Sequence, residues 1–177
     1  MCCAANCIPL MIQQNINGSD FFNRSWAEFK VGFNDSSGNF WLGNELIHQL
    51  THNHHPGYTL RFDLQQRDSL RWYYVEYSSF VVFSETTNYR MLVTGHSGNT
   101  NDAFSYSSGM MFTTYDRDND PWTNTDYNNN CAVYEGGGFW YNQCAYANVN
   151  TVRGHGDDFN WHSSTGLLQS SRMWLMC

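Results

Sequence analysis

The residues best suited to chemistry lie between Asp116 and Cys144, in a stretch rich in acidic, glycine and aromatic residues. Aspartates alternate at positions 116, 118 and 120, and cysteines follow at 131 and 144. Carboxylates spaced by one residue in a loop can turn toward one point, and hard cations such as Ca²⁺ prefer that oxygen-rich arrangement. The cysteine pair would close the loop beside it. The pattern predicts a calcium-stabilised surface site rather than a catalytic one.

Composition limits the classes of partner. The protein has 177 residues, which is enough for one domain with a real core, and 17% of them are aromatic while only 14% are charged. The net charge of -7 and the scattering of nine basic residues argue against a nucleic-acid partner. No apolar stretch approaches the roughly 20 residues of a membrane-spanning helix, so no membrane insertion is expected.

Cysteine and sequon content favours an oxidising, extracellular compartment. Three glycosylation acceptors occur early, at Asn17, Asn23 and Asn34. Residues 1–12 are too short and lack the basic start of a signal peptide, so the sequence is interpreted as a fragment or an incomplete gene product. A cytosolic protein with free thiols is the alternative. Four cysteines have no assignable partner: Cys2, Cys3, Cys7 and Cys177.

Local signals predict two helices near the start of the sequence. Ser25 and Glu28 have the spacing of a capping box, and Gly32 can end the helix that they begin. A second short helix is expected over 43–50, where leucine and isoleucine residues form an apolar stripe.

Alternating apolar residues predict three strands, over 58–64, 71–83 and 89–94. Three residues are expected to turn the backbone after the third strand: Gly95, Gly98 and Asn99. Residues 97–161 have little periodicity and much glycine, asparagine and aspartate. So long a loop region without regular structure is unusual and requires internal cross-links. The metal loop and a disulfide would supply them.

Seven sequence blocks occur in a familiar order, among them NGSDFFNRSWAEFKVGF (17–33) and GGFWYNQC (137–144); the others span 38–51, 60–64, 76–82, 89–120 and 130–133. Together they resemble the fibrinogen C-terminal domain, which is found in fibrinogen chains, ficolins, tachylectins, angiopoietins and tenascins. The resemblance covers roughly residues 9 to 176. It suggests that an earlier subdomain is missing, with only the tail of its strand present around 10–15.

The resemblance implies an α+β fold, with a central antiparallel sheet, short flanking helices and a loop-rich subdomain that holds calcium and a ligand pocket. Residues 9–177 would form this partial domain after an irregular segment over 1–8. Members of the family are not enzymes, and no GxSxG nucleophile motif is present here. They recognise acetylated sugars and amines, polymerisation knobs or receptors, and they act as oligomers through upstream segments.

By the same resemblance, Asp118 and Asp120 supply carboxylate ligands to Ca²⁺, and backbone carbonyls of Trp122 and Asn124 complete the shell. The segment from Asp120 to Cys131 is about five residues longer than is usual in the family. A solvated acidic turn is the alternative interpretation of this loop.

The resemblance also implies a disulfide between Cys131 and Cys144, since their spacing is that of the family; two buried free thiols are the alternative. The implied ligand-binding residues are Glu135, Tyr141, Gln143, Cys144, Ala145 and His155. Four of these depart from the acetyl-binding members, in which a histidine stands at position 145, an asparagine often stands at 143, and tyrosines stand near positions 135 and 155. A cationic ligand, attracted by Glu135, Asp157 and Asp158, is therefore a second hypothesis.

Other conspicuous residue types have ordinary interpretations. The run that contains His52, His54 and His55 is interpreted as a solvated turn rather than a metal site. The tryptophans and their neighbours are expected in the core rather than on a sugar-stacking surface; these are Trp26, Phe40, Trp41, Trp140 and Trp161.

The sequence thus predicts a secreted, calcium-stabilised recognition domain. Its leading function is that of a lectin for acetylated glycans or other surface ligands in innate immunity. The alternative is a protein-interaction module that docks a receptor or an extracellular-matrix protein. A third possibility is that a protein without the first subdomain is not a stable functional unit.

Overall fold

The structure is a computed structural model that describes residues 8–52, 58–162 and 165–176. Its α-helices are α1 (Trp26–Val31), α2 (Asn44–His52) and α3 (Cys131–Glu135). Its strands, in sequence order, are β1 (Leu10–Asn15), β2 (Phe33–Asn34), β3 (Phe40–Trp41), β4 (Tyr58–Gln66), β5 (Trp72–Val82), β6 (Met91–Gly98), β7 (Phe112–Thr113), β8 (Phe139–Trp140), β9 (Ala147–Asn148), β10 (Asn160–Trp161) and β11 (Gly166–Met176). Short 3₁₀ turns cover Asp20–Phe22, Glu85–Thr87, Ser105–Ser107 and Thr125–Tyr127.

One antiparallel sheet organises the described residues, with strand order β2-β3-β1-β11-β4-β5-β6. Strand β11 also pairs with β10, which pairs with β9, so the sheet reaches into the loop-rich half of the molecule. Strands β7 and β8 form a separate pair. This architecture confirms the α+β class and the central antiparallel sheet. It also places β11 between β1 and β4, in the middle of the sheet.

Helix α1 forms as its local signals predict. The Ser25 backbone N–H donates to the Glu28 carboxylate at 2.9 Å, and the Glu28 N–H donates to Ser25 Oγ at 3.4 Å, which is the reciprocal capping box. Gly32 ends the helix with φ +91°, a conformation that favours glycine. The second predicted helix is also confirmed, although α2 extends two residues further, to His52.

The predicted strands are confirmed as β4, β5 and β6, but the turn predicted at Gly95 is wrong. Strand β6 runs on through Gly95 to Gly98, paired with β5 without a change of register. Gly95 has φ +78°, and a Cβ there would meet Ser78 Oγ. The glycine therefore permits close packing within the strand rather than a reversal of direction. The prediction also omitted β11, which spans 11 residues.

The core is dominated by aromatic rings that α1 and the sheet bring together. Trp41 and Trp140 are completely buried, with ring centroids 6.1 Å apart, and Phe112 contacts both of them. Trp26 and Trp161 are also buried, so the core assignment of these tryptophans is confirmed. Removing each such ring from water contributes roughly 2–3 kcal/mol of burial free energy. The stability of this domain therefore comes mainly from buried rings rather than from ion pairs.

Several predicted features lie at the surface or outside the described ranges. Asn17, Asn23 and Asn34 are all exposed, and their glycosylation stays a prediction. His52 lies in α2, where its ring packs 5.2 Å from that of His48. Residues His54, His55, Cys2, Cys3, Cys7 and Cys177, with most of the predicted irregular segment, fall outside the described ranges. No helix in the described residues has the length and apolar character to cross a membrane.

Candidate functional site

A short helix and a disulfide hold together the loop-rich half of the molecule. Cys131 begins α3 and is bonded to Cys144, with Cα atoms 5.1 Å apart, which confirms the predicted pair. Asn130 caps the helix, because its Oδ1 accepts the N–H of Val133 at 3.1 Å, and its Nδ2 donates to the Thr114 carbonyl at 3.0 Å. These contacts fix α3 against the acidic loop on one side and the 142–146 loop on the other.

The three alternating aspartates have different roles. Asp116 Oδ1 accepts the backbone N–H of Trp26 at 2.8 Å, so this carboxylate stabilises the start of α1. Asp120 accepts the N–H groups of Trp122 and Cys131, both at 3.0 Å. The Asp120 N–H in turn donates to Asp118 at 3.3 Å. Asp118 and Asp120 therefore lie side by side, as the calcium prediction requires.

The electrostatics of this pair suit a cation. The pKa of Asp120 is raised to about 6, chiefly by burial and also by the neighbouring charge of Asp118, against the lowering effect of the two backbone N–H donors. A hard cation between the two carboxylates would remove both penalties, and oxygen-only donors match Ca²⁺. Within the described ranges, no three His, Cys, Asp or Glu side chains cluster as a metal site, so an ion here must also draw on carbonyls or water.

The lengthened loop affects one of the predicted carbonyl ligands. The Asn124 carbonyl accepts the N–H of Tyr127 at 3.2 Å and that of Asn129 at 2.8 Å, within the 3₁₀ turn. Two such bonds occupy both lone pairs of a carbonyl oxygen. Asn124 thus does not fit as a ligand in this conformation, while Asp118 and Asp120 do, and the role of Trp122 stays a prediction.

A cavity of about 450 Å³ opens beside the disulfide. Gln143, Cys144 and Ala145 line one side of it, and Trp161 of β10 lies on another. Gln143 and Cys144 have φ +54° and +61°, a left-handed conformation that costs non-glycine residues roughly 1–2 kcal/mol each. The disulfide holds this unfavourable turn in place. Three of the six predicted ligand-binding residues therefore face one cavity.

A stack of three rings forms the outer wall of this cavity. The rings of Tyr106 and Tyr146 lie 4.3 Å apart and nearly parallel, and that of His162 stacks on Tyr146 at 4.6 Å. The two tyrosines are 39% and 44% exposed. Both faces of Tyr146 are covered by its neighbours, so its accessible surface is the ring edge and the hydroxyl. Sequence reasoning missed all three residues. They come from separate loops without periodicity, and only the position of Tyr146 beside Ala145 pointed to it.

The base of the cavity is polar and acidic. Asp157 and Asn160 line it, and Glu135, the last residue of α3, lies behind them with no exposed surface. The carboxylate of Glu135 accepts the amide of Asn148 and the N–H of Asp157. Burial, together with the charge of Asp157, raises the pKa of Glu135 to about 8.

The other predicted ligand-binding residues lie away from the cavity surface. Tyr141 is fully buried, and its hydroxyl donates to the Gly137 carbonyl at 2.6 Å. His155 is exposed but is not part of the cavity lining. Asp158, invoked for a cationic ligand, is held by two hydrogen bonds from Arg67, at 2.9 and 3.1 Å, which neutralise its charge. Ligand contact by the six predicted residues stays a prediction.

Comparison with known proteins identifies the domain. Residues 4–174 match the family model of the C-terminal globular domain of fibrinogen beta and gamma chains. Human angiopoietin-related protein 7 is 36% identical over 175 residues, covering 92% of this chain and 48% of that protein. Rat fibrinogen alpha chain is 39% identical over 158 residues, covering 81% of this chain and 19% of that one. The chain thus spans about half the length, or less, of these relatives.

Solved structures agree with the sequence match. The fibrinogen-like globe domain of human ANGPTL2 superimposes with a TM-score of 0.81 at 32% identity, covering 94% of this chain and 78% of that domain. Lamprey fibrin D-dimer, solved with the peptide ligand Gly-His-Arg-Pro-amide, gives a TM-score of 0.79 at 28% identity, covering 93% of this chain and 60% of that one. The chain therefore belongs to the fibrinogen C-terminal globular domain family.

Proposed function

We propose that this protein is an extracellular, non-catalytic recognition domain that is stabilised by Ca²⁺ and binds glycans in the cavity beside the disulfide. The observation that carries this proposal is the combination of a half-exposed ring stack with a polar base in one 450 Å³ cavity. Ligand sites of this kind join apolar or aromatic walls to a few polar groups that fix orientation. Recognition of microbial or host surface glycans would suit a role in innate immunity.

The ring stack supports a sugar ligand. Tyr106 and Tyr146 present aromatic surface with a hydroxyl at one end, and rings with an apolar body and a wet polar tip are suited to binding interfaces. Ala145 adds a small apolar surface next to Tyr146, where the methyl of an acetyl group could pack. Asn160 supplies an amide at the base. These groups offer contact with aromatic ring surface, methyl burial and hydrogen bonding within one cavity.

Calcium would act structurally rather than as a reactant. An ion on Asp118 and Asp120 would hold the acidic loop against α3, because Asp120 already accepts the N–H of Cys131 at 3.0 Å. Helix α3 is joined by the disulfide to the 142–146 loop that lines the cavity. A loop that is ordered beforehand loses less conformational entropy when a ligand binds.

A basic peptide segment of a partner protein is the second candidate. It is favoured by the carboxylate of Asp157, which lines the cavity. The lamprey fibrin relative was solved with a peptide whose formula contains an imidazole, a guanidinium and an amidated end. Binding of such a peptide would make this domain a protein-docking module for a receptor or matrix protein. The full-length protein would then present several copies of the domain as an oligomer.

The two candidates separate in one calorimetric experiment. N-acetylglucosamine and Gly-His-Arg-Pro-amide are titrated in turn into the refolded domain, first with Ca²⁺ and then with chelator. Tyr146→Ala should weaken binding of the true ligand at least tenfold. Tyr115→Ala removes an equally exposed tyrosine (47%) outside the cavity lining and serves as the matched control.

Calcium-dependent binding of the sugar, lost in the Tyr146 variant only, would establish the glycan function. Binding of the peptide alone would favour the docking module. If neither ligand binds a domain that Ca²⁺ still stabilises against melting, recognition through this cavity is refuted for both ligand classes.

A further inference from the structure

Three side-chain oxygens are buried without a hydrogen-bond partner behind the base of the cavity. They are Glu135 Oε1, Asn148 Oδ1 and Asn160 Oδ1. Glu135 and Asn148 have no exposed surface, and Asn160 is only 9% exposed. Buried polar atoms in folded proteins nearly always have partners, so three neighbouring acceptors without a protein partner call for a bound water or a cation.

The fold brings these oxygens together by specific means. Helix α3 ends at Glu135 because Gly136 takes a left-handed conformation, with φ +73°. Gly156 lets the following loop pass against the carboxyl group, since a Cβ there would lie 2.3 Å from Glu135 Oε2. Asn148 and Asn160 are direct partners in the β9–β10 pair. Their amide nitrogens both donate to the Asp158 carbonyl at 3.1 Å, so the two amides lie side by side.

A shared proton cannot satisfy all of these atoms. A proton held between Glu135 and Asp157, whose carboxyl groups interact directly, would serve that pair alone. The amide nitrogens of Asn148 and Asn160 are already used as donors, and an amide oxygen has no proton of its own. Turning either amide over would place its oxygen against another acceptor. One water molecule donates only two hydrogen bonds and cannot serve all three oxygens, whereas a metal cation can be ligated by all four side chains together.

We propose that Glu135, Asp157, Asn148 and Asn160 form a second divalent-cation site, suited to Ca²⁺, at the base of the cavity. Carboxylate and amide oxygens are the ligands that this ion prefers, and the two carboxylates balance its charge. The ion can reach the site through the cavity, because Asp157 and Asn160 line it. This site shares no residue with the Asp118 and Asp120 pair. It lies at the C-terminal end of α3, whereas that pair lies at the N-terminal end.

The second site also bears on the choice of ligand, and this consequence rests on the proposed glycan function. Four protein ligands leave coordination positions of a six- to eight-coordinate ion open toward the cavity. A sugar hydroxyl or an acetyl carbonyl oxygen could take such a position. With the ion bound, the negative charge that would attract a basic peptide is neutralised.

Calcium stoichiometry tests the inference with Ca²⁺ as the only probe. Equilibrium dialysis of the wild-type domain should give two ions, and Asp118→Asn/Asp120→Asn should retain one. Adding Glu135→Gln to that background should weaken the remaining site at least tenfold. Glu76→Gln makes the same charge change on strand β5 and should bind both ions like the wild type.

A domain with Asp118→Asn/Asp120→Asn that binds no Ca²⁺ would overturn the second site, as would unchanged binding after Glu135→Gln. If the Glu135→Gln variant, altered at a buried position, does not fold, Asp157→Asn, at an exposed position, makes the same test. Two bound ions with no sugar binding would leave the ion site standing and reject only the glycan function.

Discussion

Replacing Gly137 by alanine should be among the most damaging single changes in this domain. Gly137 connects α3 to β8, and a Cβ at this position would lie 1.8 Å from the carbonyl oxygen of Asn150. Contacts under 3.0 Å essentially never occur for a real Cβ, so the two segments would have to separate by roughly 1.2 Å. The φ of Gly137 is not in the left-handed region, and the penalty is therefore purely steric.

The magnitude follows from what holds Asn150 in place. Asn150 is completely buried, its amide donates to the Gly138 carbonyl at 3.0 Å, and its Oδ1 accepts from Gln13 at 3.0 Å. Overpacking a core costs roughly 1–3 kcal/mol, and each buried hydrogen bond lost adds about 1 kcal/mol. We expect a loss of about 3–4 kcal/mol in the free energy of unfolding. For a domain of this size that corresponds to a decrease of roughly 6–16 °C in Tm.

Chemical denaturation and thermal melting of the two proteins would measure this loss. Gly109→Ala is the matched control, because Gly109 has φ +90° but no atom lies within 4 Å of the position that its Cβ would occupy. That variant should lose only the conformational penalty of about 1–2 kcal/mol. A Gly137→Ala protein that melts within about 3 °C of the wild type would refute the steric argument, given the expected shift per kcal/mol.

Three further changes should have measurable effects. Replacing Cys131 and Cys144 by serine should cost about 3 kcal/mol through the freed loop, seen as a lower denaturation midpoint; a midpoint equal to that of the oxidised wild type would contradict it. Hydrogen bonds from Lys30 and then Trp26 lower the pKa of Glu85 below 4.5, so its stabilisation is present above that pH and is lost as the pH falls through the lowered pKa. Glu85→Gln should therefore lower stability at neutral pH and flatten the acid limb of a stability–pH curve, and an unchanged curve would argue against the ion pair. Removing Ca²⁺ with a chelator should lower Tm by the equivalent of about 2.7 kcal/mol, relative to Ca²⁺ at 100 times its Kd. Asp120→Asn should reproduce part of that decrease. A Tm that changes neither with chelator nor with Asp120→Asn would count against the calcium loop.

Local signals in the sequence were sufficient for some elements of the fold. The capping box of Ser25 and Glu28 and the stop at Gly32 act within a short segment, so α1 could be predicted with its bounds. Strands β4 and β5 alternate over many residues, which predicts them as clearly. The disulfide came from family spacing rather than from geometry.

Strand β11 could not be predicted because its alternation is interrupted. The pairing with β4 shifts register between Leu168 and Ser170, so the buried residues on either side of the shift do not share one period. The alternation is further obscured because buried Ser171 is polar, while Trp174 and Met176 on the outward face are apolar.

Only some of the residues that line the cavity could be predicted from the sequence. Gln143, Cys144 and Ala145 are consecutive and lie next to the disulfide, so family spacing found them. Tyr106 and His162 meet Tyr146 only through the path of three loops, for which no local pattern exists. The burial of Glu135 and Asn148 depends in the same way on contacts between α3 and the β9–β10 pair.

The central position of β11 has a consequence for how the protein is made. Leu10 pairs with Leu175, so the edge of β1 that faces β11 has no partner until residues 166–176 have left the ribosome. Until then β1 and β4 expose unpaired backbone along the edges that β11 later joins. The nascent polypeptide therefore depends on protection from aggregation during synthesis. A premature stop codon anywhere before residue 166 would remove the middle of the sheet, so its effect on the protein should be complete rather than graded.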